Sequence, residues 1–195
     1  MSRLTKIFFL TNNEGKFKEA YLFLKENYSI EIEHLKGLDI PEIQADDLED
    51  IARFSLEWVL KFHRKSQFLE DSGLFIENLN GFPGPYSSYV YKKIGNTGIL
   101  NILSPWINKN EQIRAYFKAV IAYYDLKKDK IEIFTGITRG TIAKEIRGKK
   151  GWGFDPIFIP DEGDGRTFAE MGTILKNKYS HRSKALRKLG EYLTR

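Results

Sequence analysis

Two long apolar runs in the middle of the chain limit the possible folds more than any other feature. They cover residues 113–126 and 131–146, and only a short charged segment, KKDK, separates them. Runs rich in β-branched and aromatic residues indicate strands, and so short a connection indicates that the two strands pair in antiparallel fashion. The connection lacks the Asn-Gly signal of a tight hairpin, so the sequence does not reveal the turn type.

Shorter strand-like runs and helical patterns surround this pair. The strand-like runs cover residues 6–11, 30–35, 68–70, 74–79 and 157–159. Helical patterns cover 47–64, with Ile51, Ser55, Trp58, Val59 and Phe62 on one face, and 183–193, with Leu186, Leu189, Tyr192 and Leu193 on one face. Because helices and strands alternate early and strands pair centrally, we predict an α/β fold with a mixed sheet flanked by helices. No repeat or linker divides the chain, which predicts one domain over residues 1–195.

Composition excludes several functional classes. The chain has no cysteine, so neither disulfides nor thiolate metal sites are possible, and its three histidines lack metal-ligand spacing. Any metal is therefore expected to be held by oxygen atoms. A net charge of +5 suits an anionic partner but is mild for a dedicated nucleic-acid binder. No run reaches the length of a membrane-spanning helix and no leader pattern is visible, so we expect a cytoplasmic location.

The junction FFLTNNEGKFKEA joins a predicted strand to a predicted helix and has two interpretations. Thr11, Asn12 and Asn13 are good helix N-cap residues, so the junction could simply be a capped helix. A helix N-terminus also attracts anions, and Lys16 would oppose the helix dipole unless an anion were bound there. The segment is not a Walker loop, because Leu10 and Phe17 stand where that pattern needs Gly and Ser or Thr. Helix cap and phosphate site both remain open at this stage.

The segment FLEDSGLFIENL places adjacent carboxylates between two strand-like halves. Glu70, Asp71, Ser72 and Gly73 could form an acidic turn. Alternatively, the carboxylates could hold Mg²⁺ at a strand end, with Glu42 of DIPEIQ as a further oxygen ligand.

Three further polar segments point to a ligand. Gly, Pro and Ser residues in FPGPYSS indicate a rigid turn before a helix, although a plain loop is also possible. In GKKGWGFDPIF, glycines flank Trp152, and rings in such a loop cannot all belong to the core, so a stacking platform for a flat ring is expected. Donor side chains gather in KNKYSHR before the last helix. Together these segments suit a ligand with phosphates, a bound metal, a flat ring and acceptor atoms on that ring. A nucleoside triphosphate with its metal ion has all four features.

The motifs TNNEGKFKE, EDSGL, FPGPYSS, GWGFDPIF, FAEM and KNKYSHR resemble, in order and spacing, the inosine/xanthosine triphosphate pyrophosphatase family. The resemblance covers residues 6 to 193. It implies an elongated, strongly twisted mixed sheet with two lobes, a cleft between them, and a homodimer. It also implies hydrolysis of ITP, dITP and XTP to the monophosphate and pyrophosphate, with Mg²⁺ as cofactor and no membrane or nucleic acid as partner.

The resemblance assigns roles to residues of this chain. It implies that Asp71 is the general base and a metal ligand with Glu42 and Glu70, and that Lys16 neutralises phosphate charge. The residues that match the family's substrate-binding positions are Thr11, Asn12, Asn13, Glu14, Gly15, Lys16, Ser72, Trp152, Gly153, Phe154, Asp155, Lys176, Ser180, His181 and Arg182. On this basis the junction at Lys16 is interpreted as a phosphate site, and the cluster from Lys176 to Arg182 as the purine reader.

One position departs from the family pattern. A lysine that points at the phosphates is expected on the helix after PEIQ, but alignment places Ser55 there. Either a nearby cation such as Arg53, Lys92 or Lys93 replaces it, or phosphate affinity is lower.

Two alternative functions are a pyrophosphatase for modified pyrimidine nucleotides and a nucleic-acid-binding module. The nucleic-acid-binding module would account for the positive charge but not for Glu70 and Asp71.

Overall fold

The structure is a computed structural model that describes residues 6–41 and 43–195. The strands are β1 (Ile7–Leu10), β2 (Ile32–Leu35), β3 (Gln67–Ile76), β4 (Arg114–Asp125), β5 (Lys130–Ile142) and β6 (Phe158–Pro160). The helices are α1 (Glu14–Tyr28), α2 (Leu48–Leu60), α3 (Ser87–Ile102), α4 (Ser104–Ile107), α5 (Phe168–Tyr179) and α6 (His181–Leu193). Short 3₁₀ turns cover Glu77–Leu79, Gly84–Tyr86 and Asp155–Ile157.

The strands of the described chain form one six-stranded sheet in the order β2-β1-β3-β4-β5-β6. β1 pairs in parallel with both β2 and β3, whereas β5 and β6 are antiparallel. β4 and β5 are sheet neighbours joined by residues 126–129 only, a connection too short for a parallel crossover. The predicted central hairpin and the predicted mixed α/β sheet are therefore confirmed.

Contacts divide the chain into two compact units. The first contains the residues up to Asp71 together with Ala119–Gly136 and Arg182–Arg195, and the second contains Ser72–Lys118 and Ile137–His181. Along the described residues, no helix has the length and apolar character needed to cross a membrane.

The core of the first unit is formed where α1 and α6 pack on its strands. Phe9 of β1 stacks on Phe68 of β3, with ring centroids 4.4 Å apart. Leu24 of α1 and Leu189 of α6 are completely buried in the same apolar cluster. The inward face predicted for the last helix is thus confirmed, because Leu186 and Leu189 are buried and Tyr192 and Leu193 pack partly against the cluster.

Helix α2 is shorter than the predicted segment 47–64, and its buried face differs. Asp47 caps it by accepting a hydrogen bond from the Glu49 N–H, and the helix ends at Leu60. Its buried residues are Leu48, Ala52, Ser55, Leu56 and Val59. The prediction for Phe62 was wrong, since this residue follows the helix and is 77% exposed. Phe62 contacts the Trp58 ring edge-on, and the Lys61 ammonium lies over that same ring, so these aromatic rings pack together at the surface.

The core of the second unit contains several aromatic rings. Phe117 of β4 contacts Phe158 edge-on at 4.8 Å between centroids and lies parallel to the His181 ring at 4.6 Å. Leu74 of β3 and Ile99 of α3 are completely buried in the same apolar cluster. This packing fixes β3, β4, β6 and the helices of this unit around one core.

Strand β3 runs without interruption through the acidic segment, so the turn considered for Glu70 to Gly73 is not formed. Gly73 permits the close approach of the Gly84 turn, because a Cβ atom at Gly73 would lie 2.1 Å from the carbonyl oxygen of Gly84. Ser87 accepts a hydrogen bond from the Leu74 N–H at 2.8 Å and donates to the Gly84 carbonyl at 2.7 Å. The DSG and PGPYSS motifs therefore pack directly on each other.

Candidate active site

The turn before α1 is held by its own side chains. Asn13 accepts a hydrogen bond from the Lys16 N–H at 3.0 Å, and its own N–H donates to Thr11 Oγ1 at 3.1 Å. The Asn12 side chain accepts from the Gly37 N–H at 3.1 Å. The helix cap considered from the sequence is therefore present. A cap of this kind also fixes the helix N-terminus in place, which is what an anion site requires.

Glu14, the first residue of α1, lies beside Lys36 and His34. Its carboxylate forms an ion pair with Lys36 and lies 3.8 Å from Nδ1 of His34. The hydrogen bond from Lys36 lowers the pKa of Glu14 below its ordinary value. The His34 ring stacks on Phe17, with centroids 4.0 Å apart, and its Nε2 lies 2.8 Å from the Thr11 carbonyl oxygen. The sequence did not single out His34 or Lys36, yet both hold this turn.

A buried group of four charged side chains lies in the first unit, and we call it the Arg182 network. The guanidinium of Arg182 donates to both carboxylate oxygens of Glu70, at 2.5 and 3.0 Å, and to Glu19 at 2.5 Å. Lys16 donates to the Glu70 carbonyl at 3.1 Å and lies 3.7 Å from its carboxylate. Two cations and two carboxylates sum to zero charge, which is the condition for burying them at tolerable cost.

The position of Arg182 is strongly constrained by this network. Its side chain is 1% exposed, and the side chain of Glu70 is equally buried. Burial alone would lower the pKa of the guanidinium, but the nearby charges of Glu70 and Glu19 raise it above its ordinary value. Arg182 therefore stays charged, and it joins α1, β3 and α6.

Adjacent carboxylates on β3 have different environments. Glu70 belongs to the Arg182 network, whereas Asp71 follows it in the same strand and is half-buried. Because successive side chains of a strand point to opposite faces, the two carboxylates do not share one face of β3. A metal ion bound to Glu70 would lie beside the guanidinium of Arg182 and the ammonium of Lys16, so its charge would be opposed by both cations.

The loop around Trp152, residues 151–155, is organised by one carboxylate in the second unit. Asp155 accepts hydrogen bonds at Oδ2 from the Trp152 N–H at 3.0 Å and from the Lys176 ammonium at 2.8 Å. The ammonium of Lys176 also lies 5.4 Å from the centre of the Trp152 ring and 5.6 Å from that of Phe168. Asp155 and Lys176 are almost completely buried. This arrangement places a cationic donor beside an aromatic ring.

The two rings of this loop have different roles. Trp152 is 36% exposed, but Phe154 is 3% exposed and belongs to the core of the second unit. The two rings were expected not to both belong to the core, and this agrees with the structure: Phe154 is in the core and Trp152 is not. Ser180 and His181 are also buried, and the Ser180 N–H closes α5 by donating to the Lys176 carbonyl at 2.9 Å.

The predicted site residues divide between the units. The first unit holds Thr11, Asn12, Asn13, Glu14, Gly15, Lys16, Glu70, Asp71 and Arg182, and the second holds Ser72, Trp152, Gly153, Phe154, Asp155, Lys176, Ser180 and His181. Glu42, a predicted metal ligand, lies outside the described residues. Sequence reasoning missed Glu19, although its spacing of three from Lys16 on α1 is the signal of a shared helix face.

Ser55 lies on the buried side of α2. It is 9% exposed, whereas Arg53, two residues earlier on the same helix, is exposed. Residues two apart on a helix do not share a face. Arg53 therefore does not occupy the place of the Ser55 side chain.

The fold has close counterparts among solved structures. A HAM1 protein from Coxiella burnetii superposes with a TM-score of 0.79 at 29% identity, over 97% of this chain and 98% of that one. This agreement places the chain in a class of α/β proteins with this mixed sheet.

The chain belongs to the Ham1 family, whose sequence model matches residues 7–192. A dITP/XTP pyrophosphatase from Thermococcus kodakarensis is 49% identical over 96% of this chain and 97% of its own length. A protein of the same name from Pyrococcus horikoshii is 50% identical over 96% of each chain. The family expected from the motifs is confirmed, and the names of these relatives agree with the predicted enzyme class.

Proposed function

We propose that this protein hydrolyses deaminated purine nucleoside triphosphates, namely dITP, ITP and XTP, to the monophosphate and pyrophosphate. The observation that carries the proposal is the identity of nearly half of all residues, over almost the whole chain, to relatives named dITP/XTP pyrophosphatase. The buried Lys176 beside the exposed Trp152 supports it, because a base needs a stacking surface and a donor.

Phosphate binding is assigned to the N-terminus of α1. Its first N–H groups and the partial positive charge of the helix suit an anion, and the cap at Asn13 holds them in place. Lys16 adds a full charge and is oriented by the Glu70 carbonyl. In this proposal Thr11, Asn12, Glu14 and Gly15 shape the turn, and Lys16 offsets the charge that develops on the phosphates.

Asp71 is the proposed general base, and it would accept a proton from the attacking water. Mg²⁺ is commonly held by one or two carboxylates together with substrate phosphates, so a site of this kind needs no larger cluster of acidic residues. This fits the described residues, which contain no group of three or more acidic or histidine ligands. Asp71 and Glu42 would hold the ion, which would offset charge on the triphosphate. Glu70 is better assigned to the Arg182 network.

Base selectivity is assigned to donors in the second unit. Hypoxanthine and xanthine carry a 6-oxo acceptor where adenine has an amino donor. Donors such as Lys176, Ser180 and His181 would therefore be left unpaired against adenine, at about 1–3 kcal/mol for each buried group. Ser72 is proposed to contact the substrate as well. Guanine also has a 6-oxo group, so its rejection must come from its 2-amino group.

Three further proposals accompany this function. The chain acts as one domain, because a single family model extends across both units. It works as a homodimer, an expectation that rests on the family resemblance. It acts in the cytoplasm, where nucleotide pools are found.

A pyrophosphate-release assay tests the proposal. The wild-type protein is incubated with dITP, XTP, dGTP, dATP and dTTP, each with Mg²⁺ and with EDTA. We expect turnover of dITP and XTP with Mg²⁺, with dATP at least about tenfold slower in kcat/KM. Equal rates on all nucleotides, preference for a pyrimidine, or release of orthophosphate instead of pyrophosphate would each overturn it.

A further inference from the structure

Helix α3 contains a break that brings a side chain to the Trp152 loop. At Gly95 the backbone adopts φ 61° and ψ −164°, so the helix continues after it in a new direction. A Cβ atom at Gly95 would meet nothing within 4 Å, so the glycine is not needed to make room. It is needed because residues with side chains rarely adopt this backbone conformation.

Asn96 follows the break and contacts the loop directly. Its Nδ2 donates a hydrogen bond to the carbonyl oxygen of Gly153 at 3.1 Å. The Oδ1 atom of the same amide is buried and accepts no hydrogen bond from the residues that the structure describes. The contact with Gly153 is the interaction that the position provides.

A second contact joins α3 to the same loop on the other side of the break. The ring of Tyr91 meets Phe154 edge-on, with centroids 5.4 Å apart and an interplanar angle of 86°. Gly153 has a positive φ of 63° and no side chain with which to pack. The short segment between Trp152 and Asp155 is therefore held from α3 by one hydrogen bond and one ring contact.

These contacts complement the hydrogen bond made by Asp155. The N–H of Trp152 donates to Asp155, and the carbonyl of Gly153 accepts from Asn96. The peptide groups before Trp152 and after Gly153 are thus both fixed, which limits rotation of the backbone that carries the Trp152 ring. A ring that stacks on a base gains most when its orientation is fixed before binding.

We propose that Asn96 is a positioning residue that orients Trp152 through the Gly153 carbonyl and thereby contributes to the choice of base. This inference rests on the proposed function for its substrate, but the contact itself does not. It assigns to α3, which carries no predicted site residue, a role in base recognition.

Asn96→Asp tests the proposal, because it removes the donor while keeping the size of the side chain. Thr97→Ala, at the next and exposed position, is the matched control. Both are made in a Trp58→Phe, Trp106→Phe background, so that Trp152 is the remaining tryptophan. Acrylamide quenching of Trp152 fluorescence in nucleotide-free protein then reports on the loop without any substrate. We expect stronger quenching in Asn96→Asp than in the background and in Thr97→Ala.

Kinetics supply the second readout. For Asn96→Asp we expect KM for dITP to rise about 3- to 10-fold with a smaller change in kcat, and the dITP to dATP ratio of kcat/KM to fall. Tyr91→Leu, which removes the ring contact but not the hydrogen bond, should shift the same quantities in the same direction. Because Asn96→Asp could unfold the protein, melting curves accompany both variants, and Tyr91→Leu then carries the test.

The outcomes separate the two proposals. Unchanged quenching in folded Asn96→Asp overturns the positioning role of Asn96, whatever Tyr91→Leu shows. Stronger quenching with an unchanged dITP to dATP ratio overturns the contribution to base choice. If the wild-type protein does not hydrolyse dITP, the proposed function fails, whereas the quenching result still decides whether Asn96 holds the loop.

Discussion

Arg182 in the first unit and Lys176 in the second are both almost completely buried, but they are held differently. In the first unit, the planar guanidinium of Arg182 donates hydrogen bonds to the carboxylates of Glu70 and Glu19. Lys176 in the second unit donates to the single carboxylate of Asp155, which also accepts from a backbone N–H. The partners of Arg182 are 112 and 163 residues away in sequence, whereas Asp155 is 21 residues from Lys176.

The contrast teaches that buried ion pairs serve different purposes in this protein. Arg182 joins α1, β3 and α6, so it holds the framework that supports Lys16. Lys176 joins α5 to the Trp152 loop, so it organises a surface for a ring. Arginine suits the first role because its guanidinium can donate to two carboxylates at once. Lysine suits the second because its ammonium is a compact charge. We therefore expect loss of Arg182 to act on folding and loss of Lys176 to act on binding.

Asp71→Asn is expected to have the largest effect on activity. It is the reference against which variants of the Arg182 and Lys176 ion pairs are compared. Loss of the proposed general base should lower kcat for dITP by about 10²–10⁴. The free energy of unfolding should change by less than about 1 kcal/mol, since Asp71 is only half-buried. Steady-state kinetics and urea unfolding measure the two quantities. Near wild-type turnover at saturating Mg²⁺ would show that Asp71 is not the base.

Arg182→Ala should cost the most stability. It leaves Glu70 and Glu19 buried without their cation, and removing one partner of a buried pair costs about 3–5 kcal/mol. The unpaired carboxylates would have raised pKa values in the folded state, so the folded protein would bind extra protons. The loss should therefore be larger at pH 8 than at pH 5, as measured by urea unfolding.

Arg182→Lys is the control for this effect, because it keeps the charge but loses the planar guanidinium. Compared with Arg182→Ala, it should restore part of the free energy of unfolding, but it cannot form the bidentate contact with Glu70. A loss below about 1 kcal/mol in Arg182→Ala, with no dependence on pH, would contradict a framework role. The dITP to dATP ratio of kcat/KM in the same variant then tests the purine-reading role implied by the family resemblance.

Lys176→Met should act mainly on nucleotide binding. The Asp155 carboxylate would lose its cation but keep the Trp152 N–H, so we expect a loss of about 2–3 kcal/mol in the free energy of unfolding. Discrimination of dITP from dATP should fall more than kcat does. Asp155→Asn, which keeps the shape but removes the charge, is the matched variant. If Lys176→Met destabilised the protein more than Arg182→Ala, the distinction between the two units would fail.

Ser55→Lys adds to this contrast a new cation on a buried helix face. Ser55 lies on the face of α2 that buries Ala52, Leu56 and Val59, so a lysine there should cost about 1–3 kcal/mol through overpacking and desolvation. Melting temperature and KM for dITP should both worsen, with Ser55→Ala as the control. Tighter dITP binding at an unchanged melting temperature would instead indicate a vacant phosphate position.

Most of the local structure could be predicted from the amino-acid sequence alone. Apolar runs with a short charged connection predicted β4 and β5, and the Thr-Asn-Asn segment predicted the cap of α1, because these features depend on residues close together in the chain. Six ordered motifs were enough to predict the family. The pattern failed at Phe62, which follows the end of α2 at Leu60 and is exposed. In β3, the glycine at position 73 allows the Gly84 turn to approach the strand closely, a contact that no local pattern predicts.

Which charged groups contact each other depends on tertiary packing. No local pattern connects Arg182 to Glu19 or Glu70, and none separates Phe154, which enters the core, from Trp152, which stays exposed. Periodicity predicts that a residue faces inward, but it does not say what lies opposite. The partner is set by how strands and helices distant in sequence pack, and the cost of burying a charge then requires that a partner be there.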